Sequence, residues 1–228
     1  MTEADFPLLS LIITIPLLGA LLAGSIRNVD VAKQIAFFTA LITFVLTACA
    51  TLLFDADKSG FQLVERYDWI PLLKIEYLVG VDGISVLFLP MTGLLTIITM
   101  LASWSAISHS SRFHFSLLLA LESVSIGVFC ALDTVLFFLF WELTLPPFFF
   151  LIGLWGIGSQ RRSAAMKYTL FMLAGGVTLL LAIIVLATNH AKQIGGQIPN
   201  DLTFSLPILL NTPLPDNLQT LVFLLLLF

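Results

Sequence analysis

Residues 133–155 read DTVLFFLFWELTLPPFFFLIGLW, and this stretch decides the class of fold. After Asp133 it carries a single ionisable residue, Glu142, which is followed within about a turn by Pro146 and Pro147. About 20 apolar residues allow a helix to cross a bilayer, so the stretch predicts a membrane span with an acid near its middle. A charged side chain at that depth costs roughly 2.5–3.5 kcal/mol on insertion scales, which makes Glu142 a candidate functional residue.

The composition of the whole chain also indicates a membrane protein. Of its 228 residues, 59% are hydrophobic and 11% are charged, whereas soluble domains carry about 25% charged residues. The apolar residues come in long blocks rather than at the spacing of a soluble core. We therefore predict an all-α polytopic membrane protein embedded in the lipid bilayer. The net charge of −4 gives no basic footprint, so we expect no nucleic-acid partner.

Six blocks of the sequence are long enough to span a bilayer. The predicted spans lie at about 7–26, 34–54, 83–107, 113–132, 133–155 and 163–188. A polar connector, 55–79, separates the second span from the third, and the alternation of its FQLVERYDW segment predicts a short surface hairpin. The last apolar run, 219–228, is too short to cross a bilayer and is expected to be the start of a seventh helix.

The distribution of positive residues predicts the orientation in the membrane. The short loops after the first, third and fifth spans carry Arg27, Lys33, Arg112, Arg161 and Arg162. The loops on the other side are longer and more acidic. Because positive loops tend to stay in the cytoplasm, we expect these three loops to face it. The histidines that flank the second of these loops, His109 and His114, are expected to be solvated.

Three ionisable residues fall inside the apolar spans, namely Glu122, Glu142 and Lys167. They lie on the fourth, fifth and sixth spans, which short connections should place side by side. Burial disfavours the charged form of a carboxylate, and a nearby ammonium group favours it. A carboxylate and a lysine whose separation changes can therefore take up and release a proton, and we predict this role for all three residues.

The local sequence around Glu142 supports that prediction. Pro146 and Pro147 cannot donate to the helix ladder, so carbonyl groups beside Glu142 are left free to bind water. Less specific interpretations stay open: each acid can be a structural polar contact, and Lys167 can snorkel to the lipid headgroups. Three such residues on adjacent spans favour a shared proton or ion role over three separate structural ones.

Three segments resemble a known family. They are VGVDGISVLFLPMTGLLTIITMLASW at 79–104, FFLFWELTLPPFFFLIGLWG at 137–156 and RRSAAMKYTLFMLAGG at 161–176. In this order they resemble the antiporter-like, proton-pumping subunits of complex I, and above all the M-type subunit. That subunit is also called subunit 4 of type I NAD(P)H–quinone dehydrogenases. The opening MTEADFPLLS and the connector are similar to the cyanobacterial and chloroplast forms in particular.

The resemblance implies a fold of about fourteen helices built from inverted repeats. This sequence would be its N-terminal part, with six transmembrane helices and the start of a seventh. Residues 1–111 would hold the first three helices and the connector 55–79. Residues 112–228 would hold the first antiporter-like repeat, with helices four to six and the truncated start of helix seven.

The resemblance also implies roles for single residues. Glu142 matches a fifth-helix glutamate that, in the family, pairs with a lysine on the broken seventh helix. No lysine follows Lys192 in this sequence. Lys167 matches a lysine of the sixth-helix segment AAxKYxL, and Glu122 matches a fourth-helix acid of the M-type subunits. All three would transfer protons.

The implied function is proton translocation within an NAD(P)H- or ferredoxin–(plasto)quinone oxidoreductase. No nucleotide, haem or cluster motif occurs, so we expect no cofactor and no metal on this chain. Quinone, NAD(P)H or ferredoxin, and iron–sulfur clusters would be bound by partner subunits. The expected partners are neighbouring antiporter-like membrane subunits, in a thylakoid membrane or otherwise a bacterial plasma membrane.

Other functions are compatible with the same residues. One is a subunit of a multisubunit Na+/H+ antiporter, which shares these helices. Another is a structural membrane scaffold with decayed charges, against which the three intramembrane charged residues argue. A variant of the photosynthetic complex specialised for carbon dioxide uptake also stays open.

Overall fold

The computed structural model describes residues 2, 4, 6–198 and 201–227. Within them, six helical segments are long and apolar enough to cross a membrane, as predicted. They are α1 (Leu8–Ser25), α2 (Val29–Leu53), α3 (Ser85–Ser103), α4 (Ser111–Cys130), the collinear pair α5 (Thr134–Leu143) and α6 (Leu145–Trp155), and α7 (Arg161–Gln193). The short helix α8 (Leu206–Leu209) follows, and the predicted start of a seventh span forms α9 (Asp216–Leu227). Residues 1, 3 and 5 of the opening segment, residues 199–200, and Phe228 in the final run lie outside the described residues.

The polar connector folds into the predicted hairpin. Strand β1 (Gln62–Ile70) pairs antiparallel with β2 (Ile75–Val81), and a 3-10 turn at Pro71–Leu73 joins them. Tyr67 is opposite Tyr77 in the register. The inner face of the hairpin packs on Leu132, in the turn between α4 and α5. The hairpin therefore covers one end of the helix bundle.

Backbone hydrogen bonds fasten the hairpin to two other segments at this end. The N–H of Leu132 donates to the carbonyl of Leu78 at 2.9 Å, and the N–H of Leu206 donates to the carbonyl of Leu132 at 2.7 Å. The N–H of Thr134 donates to the carbonyl of Phe204 at 2.8 Å. The turn between α4 and α5 is thus held between the hairpin and the segment that follows α7.

The side chain of Asp133, which is 1% exposed, also joins this turn to the hairpin. Its Oδ1 accepts hydrogen bonds from the backbone N–H groups of Val135 and Leu136 at 2.9 and 3.0 Å, which caps α5. Its Oδ2 accepts one from the N–H of Glu76 in β2 at 3.2 Å. Burial raises the pKa of the Asp133 carboxyl group, so its bonds rather than its charge stabilise the site.

We expect Asp133→Ala to lower the free energy of unfolding by about 1–2 kcal/mol, because α5 loses its cap. Asp133→Asn is the matched comparison: its amide oxygen can still cap α5, but its NH2 group cannot accept from the N–H of Glu76, so it should lose less stability than Asp133→Ala. Thermal unfolding of the purified protein in detergent measures both variants. Equal losses in the two would mean that the contact with Glu76 or the charge, and not the cap, is what the fold uses.

The opposite end of the bundle gathers the short basic loops. Arg112 Nη1 donates to the carbonyl of Ile26 at 3.0 Å, and Lys33 Nζ donates to the carbonyl of Trp104 at 2.7 Å. The loops after α1 and α3 therefore lie together, as the charge pattern predicts. That this end faces the cytoplasm stays a prediction.

Two helices are longer than predicted. Helix α2 begins at Val29 instead of near residue 34, because the side chain of Asn28 accepts hydrogen bonds from the N–H groups of Asp30 and Val31 at 3.0 and 3.3 Å. Helix α7 has 33 residues. At 1.5 Å per residue it measures about 50 Å, which exceeds a hydrocarbon layer of about 30 Å. Part of α7 therefore extends beyond that layer.

Candidate proton-transfer site

The three predicted site residues lie on helices that pack together. Glu122 is on α4, Glu142 on α5 and Lys167 on α7, and α5 contacts both α4 and α7. The prediction that these three spans lie side by side is confirmed. The roles of the three side chains stay a prediction.

Glu142 lies beside a one-residue interruption of the helical hydrogen bonding at Thr144, whose backbone dihedral angles stay helical. It is the ninth residue of α5, about 12 Å from the start of that helix. Helix α5 ends one residue later, and α6 begins at Leu145. The N–H of Thr144 donates to the carbonyl of Trp141 at 3.2 Å, in a turn tighter than an α-helical one. Pro146 and Pro147 have no N–H, so the carbonyls of Glu142 and Leu143 lack the donor four residues later that an α-helix supplies. The predicted loosening of the helix beside Glu142 is thus present.

The carboxyl group of Glu142 lies directly against α7 at Gly176. A β-carbon at Gly176 would lie 2.8 Å from the carboxyl carbon of Glu142 and closer still to its Oε1. That Oε1 atom is buried and has no hydrogen-bond partner within the described residues. An unsatisfied oxygen in this position can bind a proton without losing an existing hydrogen bond.

Glu122 is the more deeply buried of the two acids, with 1% of its surface exposed. Neither of its carboxyl oxygens has a hydrogen-bond partner in the part of the chain that the structure describes. It lines a cavity of about 350 Å³ between α3 and α4, together with the hydroxyl-bearing residues Thr92, Thr96 and Ser125. The rest of the wall is mostly apolar, with Phe88 and Met91 among its residues. Glu122 is therefore a buried acid without a partner, which makes it a candidate to hold a proton.

Lys167 is exposed and lies near the N-terminus of α7, where the helix begins with Arg161 and Arg162. From residue 167 to Gly176 is nine residues, or about 14 Å along the helix axis. The two ion pairs among the described residues, Lys58–Asp55 at 3.0 Å and Arg66–Glu76 at 3.4 Å, lie in the connector. Glu142 therefore contacts α7, the helix that carries Lys167, but the two side chains do not form an ion pair.

One further polar atom lies on α7 between Lys167 and Gly176, at Thr169, which was not among the predicted site residues. Its Oγ1 is buried and unpartnered within the described residues. Thr169 and Gly176 are seven residues apart, two helical turns, so they share one face of α7. A hydroxyl group can both donate and accept a hydrogen bond, as a proton path needs. The sequence carries no local signal that separates Thr169 from the other threonines of these helices.

The expectation that His114 is solvated is wrong. It is 7% exposed, and neither of its ring nitrogens has a hydrogen-bond partner among the residues described. Its ring packs edge-on against Trp155 with centroids 4.8 Å apart. Trp155 in turn donates from Nε1 to the carbonyl of His109 at 3.2 Å. The end of α6 thus covers His114, which the position of the residue beside a loop does not reveal.

Comparison with known proteins identifies relatives of this chain. Residues 131–228 match the family model described as "NADH:quinone oxidoreductase/Mrp antiporter, TM". The F(420)H(2) dehydrogenase subunit M of Methanosarcina mazei is 34% identical over 189 residues, which is 83% of this chain and 38% of that protein. The NAD(P)H-quinone oxidoreductase chain 4 3 of a Picosynechococcus species is 38% identical over 188 residues, 81% of this chain and 34% of that protein. The NADH-quinone oxidoreductase subunit M of Rickettsia typhi is 34% identical over 219 residues, 92% of this chain and 42% of that protein.

Two solved structures share the fold. Respiratory complex I from Thermus thermophilus contains a chain that superposes with a TM-score of 0.78 at 24% identity, over 95% of this chain and 42% of that one. The Mrp complex from a Dietzia species contains another, with a TM-score of 0.73 at 21% identity, over 96% of this chain and 22% of that one. The predicted antiporter-like fold is confirmed. This chain spans between 34% and 42% of the length of the three relatives named above.

Proposed function

We propose that this chain, whose residues 131–228 match the NADH:quinone oxidoreductase/Mrp antiporter family, is a proton-translocating membrane subunit of an NAD(P)H- or ferredoxin-dependent quinone oxidoreductase. The observation that carries the proposal is Glu142, an intramembrane carboxyl group beside an interruption of the helical hydrogen bonding, with a buried and unpartnered oxygen. The relatives named chain 4 and subunit M support the oxidoreductase as the setting. The chain would be one subunit of that enzyme, without a redox centre of its own.

The proposed mechanism uses three proton-holding groups in a row of packed helices. Glu142 holds a proton while no cation is near, and it releases the proton when a cation approaches, because an opposite charge stabilises the carboxylate. Glu122 holds a second proton on α4, and Lys167 exchanges protons near the basic end of α7. Quinone reduction on partner subunits would supply the energy that changes these separations. The membrane potential sets the scale, at about 2.3 kcal/mol per charge and 100 mV.

The same proposal assigns cofactors, partners and location. Quinone, NAD(P)H or ferredoxin, and iron–sulfur clusters would reside on partner subunits, and neighbouring antiporter-like subunits would flank this chain in the bilayer. The cyanobacterial relatives favour a thylakoid membrane, and the Rickettsia relative is compatible with a bacterial plasma membrane. Residues 112–228 would form the first antiporter-like repeat.

A subunit of a multisubunit Na+/H+ antiporter is the second candidate function. The family description includes Mrp antiporters, and the fold of the Dietzia Mrp complex supports this alternative. Neither the fold nor Glu142 separates the two candidates, because both functions need an intramembrane carboxyl group. The source of energy separates them.

The deciding experiment purifies the tagged protein with its natural partners and reconstitutes the complex in vesicles. We expect peripheral iron–sulfur subunits to copurify and vesicle acidification to require quinone and its electron donor. Proton exchange that follows a sodium gradient, in a preparation without redox subunits, would instead establish the antiporter.

Lys167 is expected to contribute to coupling through its exchangeable proton. Lys167→Ala should lower proton translocation by about tenfold, equivalent to about 1.4 kcal/mol of barrier. Lys167→Arg should have a smaller effect, because it keeps the charge but cannot release its proton. Lys192→Ala, at the exposed end of the same helix, is the control and should leave pumping unchanged. Wild-type translocation in Lys167→Arg would contradict a role for the exchangeable proton, because arginine keeps the charge and cannot release a proton.

A further inference from the structure

We propose that Gly176 is a positioning residue that determines where the carboxyl group of Glu142 rests against α7. The inference depends on the proton-transfer role proposed for Glu142 and adds a second residue to it. Gly176 does not touch a transferred proton. It acts by the space that its missing side chain leaves.

The geometry shows that this space is already filled. Gly176 is buried in α7. A β-carbon there would lie 2.8 Å from the carboxyl carbon of Glu142 and 3.5 Å from its Oε2, with Oε1 closer than either. Carbon atoms in contact are normally about 3.5–4.0 Å apart, so even the methyl group of alanine does not fit while the carboxyl group stays in place.

The backbone of α5 has little freedom to move away. Phe140, two residues before Glu142, presses its ring against Gly127 of α4, where a β-carbon would lie 2.5 Å from Cδ1 and 2.6 Å from Cε1. Helix α5 therefore packs closely against two helices. The rigid ring of Phe140 contacts α4, and the flexible carboxyl group of Glu142 contacts α7. A methyl group at Gly176 would be accommodated by rotation of the Glu142 side chain, and not by displacement of the helix.

Helix propensity does not explain a glycine at this position. Gly176 lies in the interior of α7, where alanine would stabilise the helix by about 1 kcal/mol. The contact with Glu142 is what the glycine permits. Thr169, with its buried hydroxyl group, lies on the same face of α7, about 10 Å from Gly176 toward Arg161.

The test compares three variants in the assembled, reconstituted complex. Gly176→Ala should lower the protons translocated per quinone reduced at least threefold and shift the pH at which translocation is half-maximal. Gly153→Ala is the matched control, since a β-carbon there would meet that of Ala165 at an ordinary 3.6 Å, and we expect no change. The double variant Gly176→Ala with Glu142→Asp shortens the acid by one methylene group and should regain part of the lost translocation.

Each outcome decides a separate point. Wild-type translocation and pH profile in Gly176→Ala would overturn the positioning role. So would a loss of assembly that the shorter aspartate does not restore, since the methyl group would then be meeting something other than the carboxyl group. The variant Glu142→Gln keeps the two proposals apart. If it pumps normally, the proposed function fails, and if it stops pumping while Gly176→Ala is unaffected, only the role of Gly176 fails.

Discussion

Replacing Glu142 by glutamine is expected to lower proton translocation at least a hundredfold while the complex still assembles. Glutamine has nearly the same size and shape, so it can pack against Gly176 as the acid does. It cannot bind and release a proton at neutral pH. A hundredfold loss corresponds to about 2.7 kcal/mol, which is within the usual contribution of a proton-transferring side chain.

Acidification of vesicles that contain the reconstituted complex measures this effect, with assembly checked by native electrophoresis. Glu142→Asp keeps the carboxyl group and should retain a measurable part of the activity. Asp68→Asn removes an exposed charge from the hairpin and should change nothing. Normal pumping in a fully assembled Glu142→Gln complex would remove Glu142 from the mechanism.

Replacing Glu65 by alanine is expected to lower the free energy of unfolding by about 3 kcal/mol. Glu65 is 4% exposed, and its carboxylate lies at the N-terminus of α1. Its Oε1 accepts from the N–H of Leu9 at 2.6 Å, and its Oε2 accepts from the N–H of Ser10 at 3.2 Å and from the Ser10 hydroxyl group. Each hydrogen bond to a charged group contributes about 1.5–3 kcal/mol, and the helix dipole favours a negative charge here.

The effect is large because Glu65 is the cap that α1 lacks locally. Pro7, which precedes α1, makes no side-chain capping bond, so the free N–H groups of the first turn are bound by a side chain from the hairpin. The Ser10 hydroxyl group also contacts the phenol of Tyr77 at 2.9 Å. Burial raises the pKa of Tyr77 to about 12, so this phenol stays neutral at physiological pH.

Thermal unfolding of the purified protein in detergent checks the Glu65 prediction. Asp68→Ala is the matched control, because Asp68 is exposed on the same strand and faces Glu76 across the hairpin. Removal of one of two like charges should change stability by no more than about 0.5 kcal/mol. An unfolding midpoint for Glu65→Ala equal to that of Asp68→Ala would show that α1 does not need this cap.

The sequence by itself determined the class of fold and the parts of the site that depend on local chemistry. The bilayer is a uniform apolar solvent, so a span is recognised from about 20 consecutive residues without knowledge of its neighbours. The same holds for the hairpin, whose alternation is local, and for the weakened helical hydrogen bonding beside Glu142, which follows from Pro146 and Pro147. Glu142 was recognisable because a charge in such a span is costly wherever the helix packs.

Only the tertiary structure decided which distant residues meet. Glu65 caps a helix 56 residues away, and Gly176 makes room for an acid 34 residues before it. His114 is buried because the end of α6 covers it. Local pattern does not encode these contacts, since they depend on how helices of similar hydrophobicity pack side by side. In the membrane that packing follows shape and small residues more than hydrophobicity, which makes it invisible to composition and periodicity.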